Sequence, residues 1–172
     1  MFKKPFIMLV ITLLAASAIM ARNNLQLSPS ITNHAITVEL YLVNQDTLSG
    51  MQIPLDLGLS KLGLQLDSVS FAGSRIGHFY ECFYTEYPEQ DKVFIFILES
   101  ANAEINSSPL LPGSGKIATI HLKRVRTPLA SEHTFTTRSL KDENRDFKFY
   151  FWNNHGDEVE VNYEPLRLNA RQ

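Results

Sequence analysis

From residue 36 onward, apolar side chains recur at every second position. No stretch of the chain offers three turns of an amphipathic helix. A period of two marks a strand with one face buried and one in water. Ile36, Val38, Leu40 and Leu42 alternate with Thr37, Glu39 and Tyr41. Met51, Ile53, Leu55 and Leu57 alternate with Gln52, Pro54 and Asp56. Pro54 cannot donate a ladder hydrogen bond, which predicts an edge position or a bulge for its strand. Leu64 and Leu66 share one parity, whereas Val69 and Phe71 take the other; a β-bulge at Asp67-Ser68 accounts for the change of frame. Residues 79–84 form an aromatic strand, and residues 93–98 are apolar throughout, as expected of a strand covered on both faces. Ala118, Ile120 and Leu122 alternate with Thr119, His121 and Lys123, and Phe147, Phe149 and Phe151 with Lys148, Tyr150 and Trp152. Residues 133–138 are a weaker strand.

Between these runs lie polar and Gly/Pro-rich stretches. They predict turns at residues 44–50, 58–63 and 112–115, a loop over 85–92, and a hairpin at 153–157 leading into Val159, Val161 and Tyr163. About nine short strands with no helix to cover them have one physical solution, an all-β fold of two antiparallel sheets packed face to face. Its core should contain Ile36, Val38, Leu40, Ile53, Leu55, Val69, Ile95, Ile97, Ile120 and Leu122.

The N-terminus reads differently. Lys3 and Lys4 precede an apolar run over residues 6–21, interrupted only by Thr12 and Ser17. A basic start, a short apolar centre and small residues at the end predict a secretory signal peptide over residues 1–21. Cleavage is expected after Ala18, in Ala16-Ser17-Ala18, or after Ala21. The run falls short of the roughly 20 residues that span a bilayer, so no stable membrane insertion is expected after cleavage. The remaining residues, 22–172, are expected to form a single domain that is secreted, periplasmic or attached to the cell surface. With 16 Lys+Arg against 18 Asp+Glu, the net charge is −2, and the basic face that nucleic acids require is not expected.

Catalytic chemistry finds little support. There is no G-x-S-x-G elbow, and Gly113-Ser114-Gly115 is explained as a turn beside Pro112. The single Cys82 cannot pair within the chain, and a buried thiol explains it. None of His34, His78, His121, His133 and His155 shares metal-ligand spacing with another. The stretch from Asp142 to Asp146 has the D-x-N-x-D opening of a calcium loop, but Phe147 and Asn153 stand where that loop needs Gly and Glu. No metal or cofactor is therefore expected. Asn106-Ser107-Ser108 is a glycosylation sequon in the appropriate secretory pathway. Tyr80 and Tyr84 share one parity of their strand, and Tyr150 and Trp152 one parity of theirs. Such rings either fill a sheet face or stack on sugars.

Four segments, taken in order along the chain, carry a family likeness: Ile36-Thr37-Val38-Glu39-Leu40, Leu48-Ser49-Gly50-Met51-Gln52-Ile53, Leu64-Gln65-Leu66-Asp67-Ser68-Val69, and Gly115-Lys116-Ile117-Ala118-Thr119-Ile120-His121-Leu122. Over residues 36–125 the chain resembles a bacterial cohesin domain. The resemblance implies a nine-stranded jelly-roll sandwich, related to cellulose-binding modules. It implies a non-catalytic binding module whose partner is a dockerin-like, calcium-loaded protein module in an extracellular assembly. The alternative is a carbohydrate-binding module of the same fold, taking polysaccharide on Tyr80, Tyr84, Tyr150 and Trp152.

Overall fold

A computed structural model describes residues 23–31, 35–79, 81–99, 108–125, 132–142 and 145–169. The expected signal peptide over 1–21, Tyr80, Asn106 and Ser107 of the sequon, and Glu143 and Asn144 of the calcium-like stretch lie outside the described residues.

Two sheets pack face to face as a jelly-roll sandwich. The first holds, in spatial order, β12 (Asn162–Glu164), β1 (Asn23–Ile31), β2 (Ala35–Asn44), β7 (Gly113–Arg124) and β4 (Leu64–Ser70). The second holds β13 (Leu166–Asn169), β8 (Glu132–Thr137), β3 (Gly50–Asp56), β6 (Lys92–Leu98) and β5 (Glu81–Tyr87), with β11 (Tyr150–Trp152) also paired to β3. A separate hairpin joins β9 (Leu140–Asp142) to β10 (Arg145–Phe147). Neighbouring strands are antiparallel except β1 and β12, which run parallel. A four-residue helix, α1 (Leu59–Leu62), sits between Gly58 and Gly63, both left-handed at φ 52° and 66°.

The alternation read from the chain sets the core. All ten residues expected there are buried between the sheets. The bulge expected at Asp67-Ser68 is present: the β4–β7 register shifts between Leu66 and Ser68, so Leu66 and Val69 both point inward despite their different parity.

Four expectations need correcting. Pro54 lies in an interior strand, not an edge strand. Along its β6 side β3 pairs without a break, Pro54 opposite Phe94. On the other side β11 pairs with residues 50–52 and β8 with 55–56. The residue without an N–H falls in the gap between them, where no ladder bond is needed.

Gly113-Ser114-Gly115 is the start of β7 and not a turn. Both glycines sit in the strand at positive φ, 156° and 154°, a backbone conformation that favours glycine, and Arg75 occupies the space their side chains would need. A Cβ on Gly115 would lie 2.5 Å from Arg75 Cδ. Arg75 donates to Asn44 Oδ1 at 2.8 Å and to the Leu111 carbonyl at 2.8 Å, pinning the 71–79 segment across the end of the sheet. Burial lowers its pKa below the usual arginine value.

The 153–157 turn forms, with Asn153 Oδ1 accepting from the backbone N–H groups of His155 and Asp157. Beyond the Trp152–Glu158 bridge, however, the chain crosses to the first sheet instead of completing a hairpin. Finally, β1 is an additional strand. Its burial alternates only over residues 23–27 before Pro29, too short a signal to read as a strand.

Candidate binding face

Each sheet has one face turned inward and one outward, and the register assigns every side chain to one of them. In the second sheet, Met51, Ile53 and Leu55 of β3 and Val93, Ile95 and Ile97 of β6 face the core. The opposite parity carries Gly50, Gln52 and Pro54 on β3, Phe94, Phe96 and Leu98 on β6, Phe83 and Thr85 on β5, and Tyr150 and Trp152 on β11. Among the described residues, no carboxylate, amine or guanidinium stands in the middle of this outward face. Its charges stand at the two ends: Glu81 of β5 beside Leu98 at one, and at the other Asp56, whose Oδ2 is 3.6 Å from Arg138 Nη1 and Oδ1 3.4 Å from His133 Nε2, with Lys92 donating to the Ser139 carbonyl at 2.9 Å.

The rings form a connected array. Phe83 lies 5.0 Å from Phe96, Phe96 lies 6.2 Å from Trp152, and Trp152 stacks on Tyr150 at 5.6 Å with 29° between their planes. On the other side Phe94 meets Phe147 of β10 at 4.3 Å. The β9–β10 hairpin thus covers Phe94, which is 3% exposed, while Phe83 remains 44% exposed. Residues 93–98 are therefore covered on both faces only in part: fully at Phe94, half at Phe96 and Leu98.

Gly50 decides where Trp152 lies. The two residues are paired across β3 and β11, and a Cβ on Gly50 would meet Trp152 Cζ2 at 1.8 Å. Lacking that atom, the sheet lets the indole lie down on its backbone, within reach of Phe96.

Of the four rings considered for sugar stacking, Tyr150 and Trp152 are together on this face. Tyr84 is not with them. It pairs with Ile95, so it points to the inner side of β5, 37% exposed at the sheet margin. Tyr80 lies outside the described residues. Two rings of the array, Phe96 and Phe83, were not among those four, and the more exposed of them is Phe83. Its strand extends to Tyr87, beyond the predicted end at residue 84, and the resulting pairing with Phe96 turns Phe83 outward. The signal was available: residues 81–87 alternate around Phe83, Thr85 and Tyr87.

Elsewhere the chemistry is structural. Cys82 faces inward on β5, where burial raises its thiol to about 11, far from a reactive thiolate. Burial also raises the Tyr163 phenol, which donates to the Phe135 carbonyl at 3.0 Å. Asp91 accepts from the Ser60 hydroxyl and, at 2.9 Å, from the Ser60 N–H, anchoring α1. Among the described residues, no three His, Cys, Asp or Glu side chains are grouped to hold a metal ion.

No family model and no curated protein matches this chain in sequence. Solved structures do match in fold. A cohesin from a type I cohesin–dockerin complex of Clostridium thermocellum superposes with a TM-score of 0.65 at 11% identity, covering 87% of this chain and 99% of that one. A non-cellulosomal cohesin from the archaeon Archaeoglobus fulgidus gives 0.58 at 15% identity over 87% and 91%. The solution structure of a cohesin from Clostridium acetobutylicum gives 0.62 at 10% identity over 85% and 90%. The fold is cohesin-like.

Proposed function

We propose that this chain is a non-catalytic binding module that docks a protein partner on the outward face of its second sheet. The observation that carries the reading is the uncharged aromatic array from Phe83 through Phe96 and Trp152 to Tyr150. Water-exposed apolar surface of this extent on a rigid sheet gains free energy when covered, and covering it orders no loop. The cohesin-like fold supports a partner of the dockerin type, since several of the similar structures are cohesins in complex with dockerins. Such a partner would be calcium-loaded, as the sequence resemblance implies. The basic and apolar run over residues 1–21 supports export, and hence docking outside the cytoplasm.

A second reading rests on Tyr150 and Trp152, which share this face and could stack on a polysaccharide. Against it, the two rings lean on each other, which uses contact area that a sugar would need. One experiment separates the readings. The purified protein is immobilised and exposed to the exported fraction of its source, with and without a calcium chelator, beside a parallel pull-down on insoluble polysaccharide. Capture of a protein that is lost on chelation and lost again in Phe83→Ala supports docking. Retention on polysaccharide that Trp152→Ala abolishes and chelation leaves unchanged would replace it.

A further inference from the structure

Strands β3, β5 and β6 each have 7 residues, and the outward face they carry ends differently at its two ends. At one end a single rung crosses the sheet: Glu81 pairs with Leu98, Leu98 with Gly50, Gly50 with Trp152, and Trp152 with Glu158. Directly paired residues share a face, so both glutamates stand on the side of the aromatic array, one at each margin. Both are exposed. At the other end Tyr87, Lys92, Asp56 and Thr136 form the matching rung. There the carboxylate has cations beside it, since Arg138 lies against Asp56 and Lys92 is its cross-strand neighbour.

The remaining carboxylates on the outward faces of the two sheets also have partners. Glu39 meets Lys116, Asp67 meets Lys123, Glu132 meets Arg167, and Glu164 accepts from Asn24. Among the described residues, the side chains of Glu81 and Glu158 have no such partner. Four strand spacings of about 4.8 Å put these two glutamates about 19 Å apart. That is too far for one ion to bridge them, and it lies within the footprint of a docked protein.

We infer that the protein partner docked on this face presents an apolar patch bordered at one end by Lys or Arg, and that this border lies over the Glu81–Glu158 rung. This rests on the docking proposed above and adds the sign of the partner's charge and its direction along the strands. An aromatic surface attracts any apolar patch but does not orient it, whereas charges at its margins do. The partner's cations would give Glu81 and Glu158 the ion pairs that the protein's own residues supply to Glu39, Asp67, Asp56 and Glu132. Turned end for end, the same cations would meet Lys92 and Arg138 and be repelled, which selects one direction against the other.

Trp152 is the chain's one tryptophan and stands in the acidic rung, so its fluorescence reads binding and direction together. The probes are two tryptophan-free peptides with the same Leu/Phe patch, bordered at one end by lysines or by glutamates, titrated to about 1 mM, the range of weak association. The lysine peptide should bind about three- to tenfold more tightly, which is what two exposed ion pairs supply. That preference should vanish near 1 M salt, where the screening length is about 3 Å. Glu81→Gln together with Glu158→Gln should abolish it, and Glu164→Gln, the same change on the first sheet, should keep it. A nitroxide on the lysine end of the peptide should quench Trp152 more than one on the far end. Equal binding of the two peptides, a preference that the Glu81→Gln, Glu158→Gln variant retains, or stronger quenching from the far end would overturn the inference and leave the docking reading standing. Binding of neither peptide, or binding that Phe83→Ala leaves unchanged, would remove the docking reading and the inference with it.

Discussion

The outward faces of the two sheets are built on the same backbone geometry and differ in what they show to water. On the first sheet, Thr37, Glu39 and Tyr41 of β2 stand beside His121, Thr119 and Lys116 of β7, with Gln65, Asp67 and Ser70 of β4 beyond them. Charges there pair across strands, Lys116 with Glu39 at 3.5 Å and Lys123 with Asp67 at 3.4 Å. On the second sheet the same positions carry Phe83, Phe96, Trp152 and Tyr150. The inward faces are alike, and buried except at the β5 margin. Folding requires one apolar face per sheet; it does not require a second. The aromatic outward face is thus not required by the two-layer architecture, which is why the proposed binding is placed there, whereas the first face is an ordinary solvated surface.

Mutations on each face can break or sharpen this contrast. The largest effect is expected where neither outward face is involved. Ile120→Ala, in the shared core, should cost about 2–5 kcal/mol in denaturant unfolding. A loss near zero would mean that the inward and outward faces are assigned the wrong way round. Gly50→Ala comes next, at about 1–3 kcal/mol for overpacking. The chain has one tryptophan, so the displaced Trp152 indole should report directly as a red-shifted fluorescence maximum. An unshifted spectrum would show that Trp152 does not depend on the space above Gly50.

A pH titration isolates the inner side of β5. Cys82 has its thiol raised from 9.0 to about 11 by burial. The unfolded chain therefore releases this proton before the folded one does. Stability is full below pH 9 and falls between pH 9 and 11, and Cys82→Ser should remove that part of the decline. An unaltered alkaline slope in the variant would assign it to other groups, Tyr163 first among them. Phe83→Ala should change stability by no more than about 1 kcal/mol, because the ring is far from fully buried, yet abolish partner capture. A matching loss of stability would make Phe83 a packing residue. Lys123→Ala on the opposite face should cost the least, about 0–1 kcal/mol as for exposed ion pairs, and leave capture intact.

Most of the sandwich was legible because its signal is local. Alternation at Ile36, Val38, Leu40 and at Met51, Ile53, Leu55 needs only neighbours two residues apart, and the frame change around Asp67 disclosed the bulge in the same way. What failed was non-local. Pro54 signals a missing donor, but whether that means an edge or a gap depends on β8 and β11, some eighty to a hundred residues away in the chain. The glycines at 113 and 115 look like a turn because nothing nearby in sequence announces that Arg75 will lie across them.

The candidate face divides along the same line. The sequence by itself determined the two-layer architecture, the inward residues and the presence of rings at alternate positions in residues 79–84 and 147–152. It also carried the resemblance to cohesins that the fold bears out. Only the tertiary structure decided which rings share a surface. Parity within one strand is a relative property: it says that Tyr84 and Phe83 point opposite ways, not which of them points to water. That choice is made by the register of β5 on β6 and of β11 on β3, which placed Phe83 with Trp152 and turned Tyr84 away. Register is set by burying the largest apolar set of the whole sheet, a sum over strands distant in sequence, so no single segment contains it.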